Sequence, residues 1–332
     1  MLPTTRKVLR RGSNGSLDMV VEPLPPTGAT DALIRVKAVA LNWKDAAMLN
    51  SKFPWPNVLE HGIHGSEFAG EIVALGDRAT SFQLGDGVVA LHDQLALTGL
   101  ETQFEGNTSL AGLGQQVEGT LADYLVIPIH TLAKVPAHLS WEEASTISVA
   151  GITAWNALDA YHATAGKTVL LQGTGGVSLI ALLLAQRLGF RTIVTSSSDA
   201  KLEKVKELGA TFTINYKTHP DWENEVLHLT NNVGADLVID VGGAATLVQS
   251  VTALKKRGRL SQVGLMTSES NGSFVPLVQM LIMKACSIQG IQVGTKFDLV
   301  AFYRVFSFDD TMDALRYLAG RDVFGKVVVQ LP

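Results

Sequence analysis

A single cysteine, Cys286, is found among 332 residues. Internal disulfides are excluded, as is any zinc site built from several cysteines. Its apolar neighbours predict a buried thiol. Long hydrophobic runs are missing too. The longest, such as 179–185, fall far short of the ~20 apolar residues that span a bilayer. No long basic block is present and the net charge is −4, so neither nucleic acid nor a membrane is expected as a partner. Only 17% of residues are charged and 46% are hydrophobic, which provides for a large core and argues against disorder. The N-terminal stretch MLPTTRKVLRRGSNGS is basic but has no apolar region, so no secretory signal is expected. Residues 7–9 read instead as the start of a first strand, and a soluble, cytoplasmic chain is the expectation.

At roughly 150 residues per domain, the length suggests two domains. Up to about residue 130 the chain reads as β-rich, with strand-like runs at 32–42, 68–76, 86–91 and 121–128 between Gly, Pro and Asp breaks. Residues 92–119 show no period and read as a long loop of the kind that often covers a site. Residues 140–163 turn helical, with Ser140 placed to cap and Glu142 and Glu143 in the first turn. From 168 onward strands and helices alternate. Strands are expected at 168–172, 191–195, 211–215, 235–240, 258–263 and 286–292. Helices are expected at 178–188, 200–208, 222–230, 245–255 and 276–284. Such alternation argues for a doubly wound parallel sheet.

The stretch TVLLQGTGGVS at 168–178 anchors that half. A short apolar run ends in Gly173, Gly175 and Gly176, and an almost wholly apolar helical run follows to Gly189. A tight glycine turn between strand and helix leaves bare N–H groups at a helix N-terminus, which suits a phosphate. The dinucleotide pattern G-x-G-x-x-G would need a third glycine where Ser178 stands, and serine is small enough to fit. About 20 residues on, where an acid would hold an NAD ribose, the chain reads TSSSDAK. Ser196, Ser197 and Lys201 suit a 2′-phosphate, so NADPH is expected in preference to NADH. Ser197–Asp199 capping the next helix is the simpler alternative, and Asp199 could turn toward a ribose.

Ten motifs spread along the chain carry a family resemblance. They are PLPPTGATDALIRVKAVALNWKD, HGIHGSEFAGEIVALG, LGDGVV, GTLADYLVIP, ASTISVAGITAWNAL, VLLQGTGGVS, INYK, DLVIDVGG, RGRLSQVG and FGKVVVQL. Together they resemble the medium-chain dehydrogenase/reductase superfamily, and within it the zinc-free quinone-reductase-like group. The resemblance implies a β-rich GroES-like catalytic domain over 1–150, completed by 294–332, and a Rossmann domain over 151–293. It implies a cofactor in the cleft between them and a homodimer joined through the edge strand at 286–292.

Zinc-dependent relatives hold the metal through a Cys, a His and a further Cys. Here those places carry Asn42, Ser66 and Val149, and the cysteine-rich structural-zinc lobe is absent. An amide, a hydroxyl and an isopropyl group do not replace thiolate or imidazole, so no zinc is expected. His61, His64 and Glu67 are read as loop and pocket-wall residues. The resemblance further implies that Gly173, Thr174, Gly175, Gly176 and Val177 cradle a pyrophosphate. Tyr216 would lie near the adenosine end, and Val241, Gly264, Leu265, Val293 and Thr153 near the nicotinamide. Lys326 would reach the phosphates from the C-terminal segment. Asn42 and Asp45, in Asn-Trp-Lys-Asp, would position substrate or ribose, with Trp43 in place of the usual tyrosine and Lys44, Tyr124 or water left as proton sources. Between Gly294 and Phe306 only TKFDLVAFYRV intervenes, about one helix shorter than the resemblance implies.

Without a Lewis acid, a plain ketone or alcohol is a poor substrate. Hydride transfer from NADPH to a quinone or an α,β-unsaturated carbonyl is therefore expected. An enoyl reductase of a biosynthetic pathway, or an NADPH-binding protein without turnover, are the alternatives.

Overall fold

The apolar run at 32–41 becomes β3 (Asp31–Leu41), the strand around which residues 1–152 and 293–332 form one unit. The computed structural model describes residues 2–13, 15–50, 53–54, 57–98, 111–265, 275–305 and 326–331. β3 pairs antiparallel with β4 (Glu67–Leu75), β6 (Tyr124–Pro128) and β14 (Val327–Gln330). The sheet runs on from β4 through β5 (Gly87–Ala90) to β7 (Leu132–Lys134). A separate hairpin joins β1 (Thr5–Arg11) to β2 (Leu17–Pro23). Val36, Val39, Phe68, Ile72, Val88 and Leu125 lie in the core of this unit. The β14 register sets Val327 against Leu41 and Gln330 against Ala38. Lys326 is thereby delivered to the end of β3, where Asn42 opens helix α1 (Trp43–Leu49).

Residues 153–292 form the second unit. Its sheet is parallel throughout, in the order β10 (Phe212–Asn215), β9 (Arg191–Ser196), β8 (Thr168–Gln172), β11 (Ala235–Asp240), β12 (Leu254–Gln262), β13 (Ser287–Gly290). This is the doubly wound arrangement that the alternating pattern predicts. Every residue of β8 is buried, as expected of a strand covered on both faces. Helix α4 (Gly176–Arg187), apolar on nearly all sides, follows it directly and is buried through Leu179, Ile180, Leu182 and Leu184. Strand order reverses between β8 and β11, so the topological switch point lies at their carboxyl ends. Helices α5 (Asp199–Glu207), α6 (Trp222–Leu229), α7 (Leu247–Ala253) and α8 (Val275–Lys284) complete the unit.

Several expectations are corrected. The helix expected over 140–163 is broken. It begins as α2 (Trp141–Ala144), widens into a π turn over Ile147–Gly151, and resumes as α3 (Ile152–Ala157). The wider turn spares the Val149 N–H for another acceptor, as described below. Helix α7 stops at Ala253, because Leu254 is extended and already pairs with Ala235. The segment after Gly294, read as about one helix shorter than the resemblance implies, nevertheless forms a helix, α9 (Lys296–Val305). Its start is fixed by the Lys296 N–H to the Ala96 carbonyl at 3.1 Å. Cys286 is half-buried, where a fully buried thiol was expected. Part of the 92–119 loop, residues 99–110, lies outside the described residues. Among the described residues no helix is long and apolar enough to cross a membrane.

Ser140 caps α2 through a reciprocal pair: its Oγ accepts the Glu143 N–H at 3.3 Å, and the Glu143 carboxylate accepts the Ser140 N–H at 2.8 Å. Ser140→Ala is expected to lower stability by about 1 kcal/mol in urea unfolding.

Candidate active site

In the first unit, Asn42, Ser66 and Val149, which the resemblance sets where zinc relatives hold metal, belong to one hydrogen-bonded network around Glu67. Glu67, the first residue of β4, is wholly buried. A buried carboxylate needs a counter-charge and donors on both oxygens. Lys326 Nζ binds Glu67 Oε1, joined there by Asn42 Nδ2 at 3.0 Å. Val149 N–H, spared by the π turn, gives a 2.8 Å hydrogen bond to Oε2. The Lys326 ammonium also donates to the Asn42 side-chain oxygen at 2.5 Å and to the Leu41 carbonyl at 3.1 Å. Asn42 Nδ2 reaches Ser66 Oγ at 3.1 Å, and Ser66 Oγ donates to Asp45 at 3.3 Å. Asp45 in turn accepts the Asn42 N–H at 2.7 Å. A cationic side chain thus sits among the groups that stand in for metal ligands. Among the described residues no three His, Cys, Asp or Glu side chains converge as a metal site.

Lys44, beside this cluster, points its ammonium at His92 Nε2, 3.0 Å away, with the Leu113 carbonyl at 3.4 Å. Burial pushes the Lys44 ammonium down to about 8; Lys326 and Arg11 push the same way, while Asp45 and Glu67 oppose. His92 is buried, and that burial, with the Lys44 charge, holds its imidazole well below the ordinary histidine range. His64 is also lowered, chiefly by burial, with Arg11 Nη1 3.4 Å from its Nδ1. His61 faces the Arg11 carbonyl at 3.1 Å. His61, His64 and Glu67 therefore do not share a ligand.

The second unit gathers most of the expected cofactor residues at the carboxyl edge of its sheet. Gly173 (φ +72°) turns the chain out of β8, and Gly175 occupies the N-cap of α4. A Cβ placed on either glycine meets nothing within 4 Å, so open space faces the turn. Ser178 Oγ donates to the Gln172 carbonyl at 2.6 Å, closing α4 on β8 in the position of the third glycine. Ser196 ends β9, and Tyr216 N–H donates to the Ser196 carbonyl at 3.0 Å, which puts the tyrosine at the same end. The cap of α5 is Ser198, accepting the Lys201 N–H at 3.4 Å. Asp199 accepts Asn215 Nδ2 at 2.7 Å. Val241 follows β11, and Gly264 approaches it so closely that a Cβ would lie 2.2 Å from the Val241 carbonyl oxygen.

The residues match two family descriptions: Alcohol dehydrogenase GroES-like domain over 28–137 and Zinc-binding dehydrogenase over 176–307. A zinc-type alcohol dehydrogenase-like protein of Schizosaccharomyces pombe is 37% identical over 318 residues, covering 91% of each chain. The chain belongs to the medium-chain dehydrogenase/reductase superfamily. A solved structure of a putative alcohol dehydrogenase from Sinorhizobium meliloti has 31% identity and a TM-score of 0.86, with both chains covered completely. One described as an NAD-dependent alcohol dehydrogenase has 31% identity and a TM-score of 0.84 over 98% of this chain and 100% of its own. The fold is the α/β fold of this superfamily, a parallel Rossmann-like sheet with a GroES-like antiparallel domain, and the chain is an oxidoreductase.

In this superfamily member, Gly173–Val177, Ser196, Ser197, Lys201, Tyr216, Val241, Gly264 and Leu265 all follow or end parallel strands, or open the helix after one. Thr153 is buried in the second residue of α3. Val293, with φ +29°, falls past β13 in the other unit. The clearest departure is Lys326. The resemblance gives it a phosphate, whereas its ammonium is enclosed by Glu67, Asn42 and Leu41 because the β14 register places it there.

The sequence reading passed over His92, the pairing of Glu67, and Asp240. Fully buried at the end of β11, Asp240 accepts Ser250 Oγ at 2.6 Å, the Gly243 N–H at 2.8 Å and the amides of Gln172 and Gln262 at 3.2 Å. It therefore ties the switch point together. An acid ending an otherwise apolar strand in DLVIDVGG was the available signal.

Lys326→Met is expected to cost about 3–5 kcal/mol in denaturant unfolding, since it leaves a buried carboxylate unpaired. Adding Glu67→Gln should return most of that loss. Asp240→Ala should cost about 3 kcal/mol by the same measurement, because several buried donors lose their acceptor.

Proposed function

We propose that this chain is a zinc-independent reductase of the quinone-reductase-like group, using NADPH to reduce a quinone or an α,β-unsaturated carbonyl. The observation that carries this reading is the Lys326–Glu67 pair. An ammonium ion holds the buried carboxylate, and Asn42 and Ser66 are committed to the same network. A divalent cation there would have to displace Lys326 and accept an amide and a hydroxyl in place of thiolate or imidazole. The family description and the yeast relative carry zinc in their names, but this donor set does not suit it.

The open glycine turn fits a dinucleotide. Gly173, Thr174, Gly175, Gly176 and Val177 would hold its pyrophosphate against the N-terminus of α4. Ser196, Ser197 and Lys201 would take the 2′-phosphate, and Asp199 is turned away by its bond to Asn215. That arrangement favours NADPH over NADH. Reduced nicotinamide supplies a hydride when bound. Asn42 and Asp45 keep the polar wall of the first unit rigid, and Thr153, Val241, Gly264, Leu265 and Val293 are assigned to the nicotinamide half. Polarising a carbonyl with a metal is worth several kcal/mol, and an acceptor reduced without it must already be electrophilic.

The reading extends to a cytoplasmic homodimer. Among the described residues β13 ends the parallel sheet, all four of its residues are exposed, and its edge can pair with the same strand of a second copy. Light scattering across a dilution series checks this.

NADPH oxidation should be followed with quinones, enals and enoyl thioesters, with NADH in parallel. Turnover should survive chelation, and metal analysis should find no stoichiometric zinc. Lys201→Ala should weaken NADPH by about tenfold in calorimetry, about 1.4 kcal/mol, with little effect on NADH. Stoichiometric zinc, or cofactor uptake without oxidation by any acceptor, would overturn the proposal.

A further inference from the structure

We infer that Lys44 is the proton donor of this reductase, aimed by His92. The inference rests on the reductase reading above and adds to it the source of the proton.

Lysine is an unexpected residue for this position. It is the second residue of α1, where the helix dipole repels a cation. A local rule broken without evident structural gain is a mark of a functional site. The side chain nevertheless stays inside and turns to His92. An ammonium has three N–H groups. One faces His92 Nε2 at 3.0 Å and one the Leu113 carbonyl at 3.4 Å. The third has no partner among the described residues and is available to an acceptor.

His92 is suited to aiming rather than to donating. Its Nε2 must present a lone pair to the ammonium, which places the ring proton on Nδ1. Nδ1 is buried with no well-formed hydrogen bond among the described residues, and the Ser66 backbone lies beside the ring. Gly112 lies against the ring, where a Cβ would come within 3.2 Å of Nε2, so the imidazole has little room to turn away.

The charged and titratable groups around Lys44 come from several elements. Arg11 faces it from β1, Asp45 from α1, His64 and Glu67 from the start of β4, His92 from beyond β5 and Lys326 from the approach to β14. Asp45 already accepts two hydrogen bonds as a carboxylate, and Lys326 is committed to Glu67. Trp43 carries no acidic proton. Lys44, lowered to about 8, can both hold a proton near neutral pH and release it.

The step balances as follows for an α,β-unsaturated carbonyl. A bound reduced nicotinamide would supply a hydride to the β-carbon, with the C=C electron pair moving toward the carbonyl oxygen. A Lys44 N–H bond then breaks, its electron pair stays on nitrogen, and the proton forms the new C–H bond at the α-carbon as C=O is restored. The acceptor is reduced by two electrons, the dinucleotide is oxidised, and Lys44 regains a proton from solvent.

The test uses the full chain with NADPH and an α-methyl enone in D2O, together with Lys44→Met, Lys44→Arg and His92→Gln. The wild-type protein should place deuterium on one face of the α-carbon, and its turnover should fall as pH rises through about 8. Lys44→Met should lose about 10²-fold or more in kcat with little change in KM, give deuterium on both faces, and lack the alkaline fall. Lys44→Arg keeps the charge but not a releasable proton, so it should fold and be similarly slow. Amine labelling against pH, without substrate, should show the Lys44 midpoint near 8 and should show it moved in His92→Gln. Single-face deuteration and an unchanged pH profile in Lys44→Met would overturn the donor role while leaving the reductase intact. Absence of reduction by the wild-type protein with cofactor bound would overturn both.

Discussion

A carboxylate removed completely from water has to be met by a cation, and much of the first unit is arranged to bring one to Glu67. The cation is Lys326, more than 250 residues away in the chain. Only the antiparallel pairing of β14 with β3 can carry it there, since the Val327–Leu41 register leaves the preceding residue beside Asn42. The second oxygen of Glu67 takes an N–H from Val149, which an uninterrupted helix would have used internally. Strand register, helix distortion and cap chemistry thus answer to one electrostatic requirement. The penalty of breaking a buried pair is several kcal/mol, comparable to the whole stability of many domains.

The same arrangement shows how an ammonium differs from a metal ion in what it can offer an acceptor. A divalent cation polarises a carbonyl because its coordination sphere has room for the oxygen. An ammonium held by Glu67, Asn42 and Leu41 has spent its three donors and has none to offer. It stabilises the fold without serving as a Lewis acid. Under the proposed reading, activation falls to the acceptor itself or to a different cation, and Lys44 keeps one N–H without a partner among the described residues.

Much of the second unit was legible in advance. The expected strand at 168–172 coincides with β8, and the expected helices at 200–208 and 222–230 lie within a residue of α5 and α6 at each end. β8 is read well because burial on both faces demands an apolar run, and α5 and α6 because their few apolar residues recur at helical spacing. Ser178 at the third-glycine place was readable for the same reason: only its size mattered. The π turn was not readable, since Ile147–Gly151 has the composition of an ordinary helix and is widened by an acceptor contributed from β4. Lys326 misled because a motif records which residue stands at a place and not which way a register turns it. His92 lay in a stretch without periodicity, where only folding reveals that it meets Lys44.

The polar wall of the first unit alternates in sign: Arg11 and Lys44 against Asp45, Lys326 against Glu67. Its two lysines differ because of their partners. Lys326 is paired directly with a carboxylate. Lys44 faces a neutral imidazole, so nothing in contact offsets its desolvation, and its more distant acids are countered by Arg11 and Lys326. The Lys44 proton is therefore labile, within a cluster that also holds the Lys326–Glu67 ion pair. The ring of His92, in contact with Lys44, adds no counter-charge. A carboxylate in its place would pair with Lys44, hold the proton firmly and leave two locked ion pairs. An imidazole that stays neutral keeps the amine in place without holding its charge, which is the property a proton donor at neutral pH requires.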